Sequence, residues 1–598
     1  MRFGYVLIVI GVLTGVVLAS SSGAEEPAES SNAAPSIEAG KIQLLDNIPG
    51  FAATLSQQWS GHDLSPEVDA FVNDTTHYGR LRELTGPQRL ALADCIALAL
   101  ANNTNLQISR LGPLGALAQV RRSYSIFDPS LFGDATRDFT EQPVSGLISS
   151  GGNQVVARTR TEMGNMTGDL GLRKTLLSGG TLTAALRTNR LTQSNAFLAG
   201  LDPQYQNNLA ISLNQPLLRD FGLYFTTLQV RIARTTERSA VKQYEASIAN
   251  TIRQVEQSYW VLVQVNATVE SEEQGLTLAK ELQRQNEGKY NVGAAPKTSV
   301  LEAQAEVARR EASLIQAQTA QSLARDNLRA VINATGADSQ ALLVVEPADD
   351  PKVEAYPIDL DRSLATALDR RPELAVAKLS VETAGMQLKI ASNQLLPRLN
   401  AVGSLGTTGL SGDLRNINPV PPAPTPGKQP NAYEGAYGQA YNGLVDGRYY
   451  SYTAGVTLEV PLSNIGAKAD YAQLRVAVEQ ARLALQQTQE GVTLEVKKAV
   501  TNLQSDLKSI EATRIARELA EENLRNQQAR YDVGLVTTKD LLDFQNRLTL
   551  ARATEVLALT TYNVDLAELR RVEGTLLEAR NVQLRTGEEE PAPFWAHF

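Results

Sequence analysis

The chain has 598 residues, 20% charged and only 6% aromatic, with 56 basic against 65 acidic side chains and a formal charge of −9. That length allows several domains, the acidic balance offers nothing to attract nucleic acid, and a compact enzyme core would carry more aromatic bulk. Ala, Leu, Gln, Glu and Arg crowd the second part of each half, a composition typical of long helices and coiled coils.

Met1-Arg2-Phe3-Gly4-Tyr5 and the apolar run Val6 to Leu18 have signal-peptide form, and the small residues up to Ala24 suit cleavage there. No later stretch is apolar for the ~18 residues that a membrane helix needs, so any part that enters a bilayer is expected to do so as strands. Residues 25–88 are polar, with Pro27, Pro35, Pro49 and Pro66, and read as an extension. A helical pattern then runs from Leu90 to Ser123 through Leu92, Ile96, Leu100 and Leu106, closed by Pro129, which cannot continue the ladder.

After Pro129 the period falls to two. Strand-like runs are expected at Pro129–Thr140, Gly168–Leu177, Thr181–Thr192 and Tyr205–Leu217, with Ser178-Gly179-Gly180 as a tight turn. Leu170, Leu172, Leu182, Ala184 and Leu186 take one face, and Arg173, Thr175, Thr183 and Arg187 the other. A membrane barrel with a wet interior needs that alternation, although a half-buried soluble sheet would look the same locally.

From Leu223 to Lys289 there is no proline and apolar residues recur every three or four positions, as at Val241, Tyr244, Ile248, Ile252, Val255, Tyr259 and Leu262. A helix of that length extends ~100 Å and needs a coiled-coil partner for its stripe. The partner is a second helix, Pro296 to Asn333, reached through Tyr290-Asn291-Val292-Gly293.

The same order then recurs: a helix at Leu360 to Ser392, Pro397, strands from Leu399 and at Tyr450–Leu462, a long helix at Ala467 to Arg530, Tyr531-Asp532-Val533-Gly534, and a helix at Thr538 to Val572. Between the strands, Leu410 to Gly447 holds six prolines and reads as an exposed loop. Tyr531 stands 241 positions after Tyr290 (531 − 290), and this offset also lays Leu301 on Leu542 and Leu328 on Leu569 without a gap. An offset of 268 (397 − 129) lays Leu106 on Leu374 and Pro129 on Pro397. A unit this long is no solenoid repeat of roughly 20 to 50 residues; it is a duplicated half.

This duplicated order resembles the TolC-like outer-membrane efflux proteins, the outer membrane factors of tripartite efflux and type I secretion systems. Leu213-Asn214-Gln215-Pro216-Leu217 and Leu458-Glu459-Val460-Pro461-Leu462 are similar to the family's junctions, where a strand leaves the barrel and turns into the long helix. The resemblance covers roughly residues 89–575.

It implies an α+β membrane protein: a homotrimer whose outer-membrane β-barrel, set in lipid, is continuous with a long periplasmic α-helical coiled-coil barrel, two structural repeats per chain. The expected parts are a signal peptide at 1–24, the extension 25–88, a first repeat at 89–345, a linker at 346–357, a second repeat at 358–575 and a tail at 576–598. Passive conduction is implied, with a periplasmic adaptor and an inner-membrane transporter as partners, and no catalytic residue, cofactor or metal. The rival reading is a structural or adhesive surface coiled coil without a channel. An enzyme has little to build on, since the only histidines are His62, His77 and His597.

The resemblance also assigns sites. Tyr290, Val292, Gly293, Tyr531, Val533 and Gly534 fall at the adaptor-facing tips, and Pro216 and Pro461 at the strand-helix junctions. Asp540 and Asp543, one turn apart on one helix face, fall where the family narrows its tunnel with rings of carboxylates; alternatively Asp540 complements a helix dipole. In the first half those positions are Ser299 and Glu302, and Val536 replaces an arginine of the best-known members. The surplus strands around Ser178-Gly179-Gly180 leave two counts open, four strands per chain with the extra pair outside the barrel, slightly favoured, or six in a larger one. The tail, acidic and then apolar to Phe598, reads as a disordered or docking segment rather than a final strand.

Overall fold

In a computed structural model of the chain the described residues are 87–150, 153–193, 201–333, 344–414 and 433–582. The expected leader, nearly all of the extension, all three histidines, the proline-rich centre of the second-half loop and the tail from residue 583 lie outside them.

Helices dominate the described part. The single helical stretch expected after Leu90 is two helices, α1 (Leu92–Asn102) and α2 (Thr104–Tyr124), parted at Asn103, whose side chain accepts the Leu106 amide and caps the second. The repeat does the same with α5 (Leu360–Arg370) and α6 (Pro372–Gln394), parted at Arg371 with proline at the first helical position, where its missing N–H costs nothing. The long helices are α3 (Leu228–Asn291), 64 residues, and α8 (Ile465–Asp532), 68 residues, each ~100 Å at ~1.5 Å per residue. Each turns back into a helix of about half its length, α4 (Lys297–Val331) and α9 (Thr538–Glu573).

No long helix stands alone. The start of α3 lies beside α2, with Arg234 donating to the Tyr124 hydroxyl, while its end lies beside α4, with Asn286 reaching the Ser299 carbonyl. Along α8, α6 and α9 take the same places: Arg371 meets Glu495, and Arg517 and Arg552 tie α8 to α9 through Glu555 and Glu521.

The two apolar cores form at mid-height, where each set of helices meets, and they repeat residue by residue. The first buries Ala99, Leu106, Val255, Leu262 and Leu328; the second buries Ala367, Leu374, Val496, Leu503 and Leu569 at the equivalent positions. A short parallel pair that the sequence did not suggest, β1 (Pro87–Leu90) and β6 (Val344–Pro347), closes the first core. Tyr259 pins it: its hydroxyl accepts the amides of Ala348 and Asp349 and lies 3.2 Å from the Leu90 carbonyl.

The remaining strands form one six-stranded sheet of β2 (Ser130–Ser150), β3 (Asn153–Thr175), β4 (Thr181–Gln193), β5 (Leu201–Pro216), β7 (Arg398–Leu414) and β8 (Tyr450–Glu459), each hydrogen-bonded antiparallel to the next. The chain thus brings six strands to one sheet, while the count that lines a barrel is a separate matter. The surplus strands belong to the sheet, and β2 and β3 run well past the expected Thr140 and Gly168, because backbone pairing carries them through polar sequence that shows no alternation.

Register makes the sheet two-faced. One row across all six strands reads Leu131, Leu172, Ala184, Ile211, Leu405, Tyr452; the next, one residue away and so on the opposite face, reads Ser130, Arg173, Thr183, Ser212, Ser404, Thr453. Farther along, Gly409 lets a short helix, α7 (Tyr437–Val445), lie against the apolar side, since a Cβ there would come 1.8 Å from the Ala440 carbonyl oxygen.

Leu262 and Leu503 are equivalent and fully buried. Leu262→Ala or Leu503→Ala is expected to cost about 2–5 kcal/mol each, read as a lower denaturant midpoint of the detergent-solubilised protein.

Candidate functional site

The tips show why Tyr-x-Val-Gly recurs. Gly293 and Gly534 have φ of +76° and +77°, left-handed values that glycine adopts without strain. Each amide of these glycines donates to the tyrosine carbonyl three residues back, and the following amide, of Ala294 or Leu535, donates to the carbonyl of Lys289 or Arg530 at 2.7 and 2.9 Å. This is a Schellman stop, made twice with the same bonds. It leaves Val292 and Val533 79% and 70% exposed at the ends of the molecule, with Leu535 beside the latter. Such exposed apolar side chains suit contact with another protein.

The two tyrosines, expected to be alike, are not. Tyr290 is 45% exposed, whereas Tyr531 is 6% exposed and packs with Leu282, Leu541 and Leu542 between the hairpins. This departs from the expectation that Tyr531 faces outward with the tip. Its hydroxyl donates to Asn286 Oδ1, Asn286 Nδ2 donates to the Ser299 carbonyl and to Thr538 Oγ1, both at 3.2 Å, and the Lys289 ammonium sits 4.3 Å from the Tyr531 ring centroid. The network joins α3, α4, α8 and α9. Farther from the tip Arg310 adds a second clamp, bonding Glu306, Glu272 and Asn546.

The expected constriction residues stand near these tips. Asp540 closes a capping box: its amide donates to Thr537 Oγ1 at 3.2 Å, and its Oδ2 accepts the Thr537 amide at 3.1 Å. The Thr537 hydroxyl and amide hold the Asp540 carboxyl below the usual range. Asp543, one turn on, pairs with Arg547 at 2.6 Å in the open. Glu302 is exposed on α4 and Ser299 half-buried; among the described residues no hydrogen bond or ion pair joins Glu302 to either aspartate. Within one chain, Ser299 is thus linked to Tyr531 through Asn286, while the three carboxylates stay separate.

At the other end both prolines mark junctions. Pro216 ends β5 opposite Asn400, the Leu217 amide donates to the Leu399 carbonyl at 2.7 Å, and the amide of Asp220, at φ +62°, donates to Asn393 Oδ1. Pro461 follows β8, and Asn464, at φ +45°, donates to the Leu395 carbonyl. Both exits therefore lean on residues 393–400.

Sequence reasoning missed Asn286 and Thr538, which are ordinary helix residues until Tyr531 is buried against them. It also missed a carboxylate pair, Asp506 on α8 and Asp565 on α9, at positions equivalent to Val265 and Ala324 of the first half. Burial, then the neighbouring Asp565, pushes Asp506 up to about 6; burial raises Asp565 too. Among the described residues no group of three or more His, Cys, Asp or Glu could hold a metal, and no helix is long and apolar enough to cross a membrane.

A family model described as outer membrane efflux protein matches residues 181–334 and 364–575. Among solved structures the chain is similar in fold to the CmeC outer membrane channel of Campylobacter jejuni, at 16% identity and TM-score 0.55, covering 81% of this chain and 86% of that one. It is likewise similar to the outer membrane protein VceC of Vibrio cholerae (18%, TM-score 0.54, 81% and 96% covered) and to the MtrE outer membrane channel of Neisseria gonorrhoeae in its open state (18%, TM-score 0.53, 82% and 91%). No curated protein matched.

Two outcomes test this geometry. Tyr531→Phe keeps the ring but leaves the buried Asn286 acceptor without its donor, at a cost of about 1–3 kcal/mol; faster amide exchange is expected at both tips, while Tyr290→Phe changes it little. For Asp506 the sign follows from a raised carboxyl: the unfolded group loses its proton first, so its contribution falls as pH rises from about 4 through 6. Asp506→Asn should therefore raise stability at about pH 7.5 and hardly change it near pH 4, measured by denaturation across that range.

Proposed function

The chain belongs to the outer membrane efflux protein family, and from that premise we propose that it is the passive outer-membrane conduit of a tripartite efflux or type I secretion system. It is an outer-membrane transport protein rather than an enzyme. Three copies close their sheets into one barrel and their helices into one periplasmic tunnel, and substrates cross from an inner-membrane transporter through an adaptor docked on the exposed Val292, Gly293, Val533 and Gly534, with Tyr290 beside them and Tyr531 holding the second tip from behind.

The observation that carries this reading is the sheet's sidedness together with its open ends. Lipid offers backbone groups no hydrogen-bond partners, so a spanning sheet must close, and its outer face must be apolar while its inner face meets water. The edge strands suit that demand: every residue of β8 is exposed, β2 runs away from the helices and β8 towards them, and copies placed side by side would meet antiparallel.

At the tips, three-fold symmetry would gather Asp540 and Asp543 into two rings of carboxylates whose field favours cations, with Glu302 and Ser299 at the corresponding first-half positions. Asp540 can cap its helix and face the pore at once, because a capping box leaves the carboxylate charged.

Detergent-extracted protein is expected to migrate as a heat-labile trimer and to conduct in planar bilayers, with a preference for cations that Asp540→Asn with Asp543→Asn weakens. A trimer without conductance would favour a structural coiled coil, and an unchanged ion preference would remove the aspartates from the constriction.

A further inference from the structure

We infer that the two surplus strands of the first half lie in the barrel wall itself, so that the edge of β2 pairs with the edge of β8 in a neighbouring copy and the assembled barrel has eighteen strands. This rests on the proposed trimeric pore and settles how that pore is walled.

Three observations converge on it. First, sidedness reaches into β2 and β3 in the rows nearest the junction, before Arg137 and Arg190 appear farther out on the Leu131 face. Gly133, Leu170, Leu186, Leu209, Thr407 and Tyr450 make a second row on the apolar face; on the other face a row of small side chains with Phe132 (Gly171, Ala185, Ala210, Gly406, Ser451) separates the first polar row from a further one of Asp134, Asp169, Arg187, Asn208 and Thr408. A pair of strands packed outside a four-stranded wall would bury one face against that wall and would not need the same apolar-out, polar-in order. The polar row is also knitted across the additional strands, as Arg187 holds Asp169 with two bonds of 2.7 and 2.8 Å.

Second, the turn between β3 and β4 is built into the strand-helix junction. The Ser178 carbonyl accepts Gln215 Nε2 and the Gly222 amide, both at 3.0 Å, and the Ser178 hydroxyl donates to Gln215 Oε1 at 2.6 Å. Gly179, at φ +88°, sits so close that a Cβ would come 2.4 Å from the Asp220 carbonyl oxygen. The turn therefore stands level with the exit at Pro216, where a strand of the wall must end.

Third, the insertion is even. Two antiparallel strands leave the chain at the rim where it entered, so β5 still delivers it to α3 and the outer strands keep the opposite directions that edge pairing needs. With strands ~4.8 Å apart and tilted by about 40°, eighteen give a barrel about 36 Å across the backbone, against about 24 Å for twelve. The barrel would then be wide for its family and the helical tips would be the narrow part of the path.

The test uses the full-length protein in lipid vesicles with a fluorophore on single introduced cysteines. Native Cys95 can stay, because burial pushes its thiol up to about 12 and leaves it unreactive. Leu131→Cys and Leu170→Cys probe the apolar face of β2 and β3, Asp134→Cys and Thr167→Cys the polar face, and Ile211→Cys and Leu405→Cys the apolar face of β5 and β7. The expected result is several-fold stronger quenching by brominated lipid at 131 and 170 than at 134 and 167, and the reverse with iodide in the water. If 211 and 405 meet lipid while both faces of β2 meet lipid, or both meet iodide, the surplus strands lie outside the wall and the inference is overturned. If 211 and 405 also escape the lipid quencher, the membrane barrel itself fails, a different and recognisable outcome that takes the inference with it.

Discussion

Everything in this molecule depends on keeping two helices of more than sixty residues partnered along their length. A single helix of that size with an apolar stripe has no stable solution in water, since the stripe must be covered at every turn. The chain solves this by dividing the cover. Shorter helices, α2 and α4 for α3, α6 and α9 for α8, share each long one end to end, and the gap where they meet is filled by the mid-height cores around Leu262 and Leu503. Because α3 and α8 pass unbroken through those cores, they fix the strand exits at one end and the tips at the other relative to the same packed centre.

Duplication supplies that arrangement economically, and the places where the halves differ carry the individuality of the protein. Equivalent positions stay buried in both cores, yet Val265 and Ala324 of the first half correspond to Asp506 and Asp565 of the second. A carboxylate pair in place of two small apolar groups replaces packing with a charge-dependent contact. At the tips one tyrosine is buried as a hydrogen-bond hub and its twin is left in solvent. The hub needs Asn286 and Thr538; at the offset of the repeat Tyr290 would find Gln527 and Lys297 instead, on faces that the single chain does not bring together in the same way. In the sheet, the first half gives four strands and the second two.

Much of this was written in local pattern. The switch of period from helix to strand at Pro129 and Pro397, the glycine stops, the long proline-free runs and the two-faced strands all express interactions between residues a few positions apart. Their boundaries came within a few residues of the observed helices. The alternation of Leu170, Leu172, Leu182, Ala184 and Leu186 with Arg173, Thr183 and Arg187 was legible for the same reason, because neighbouring side chains on a strand must point to opposite faces.

By itself, then, the sequence determined the elements, their order, the duplication and the two faces of the sheet, because each is set by spacing along the chain. Only the tertiary structure decided how far β2 and β3 extend, that six strands join one sheet, that β1 pairs with β6 some 250 residues away, and which of two equivalent tyrosines is buried. Those outcomes hang on contacts between segments far apart, and such partners leave no mark in the spacing of either one.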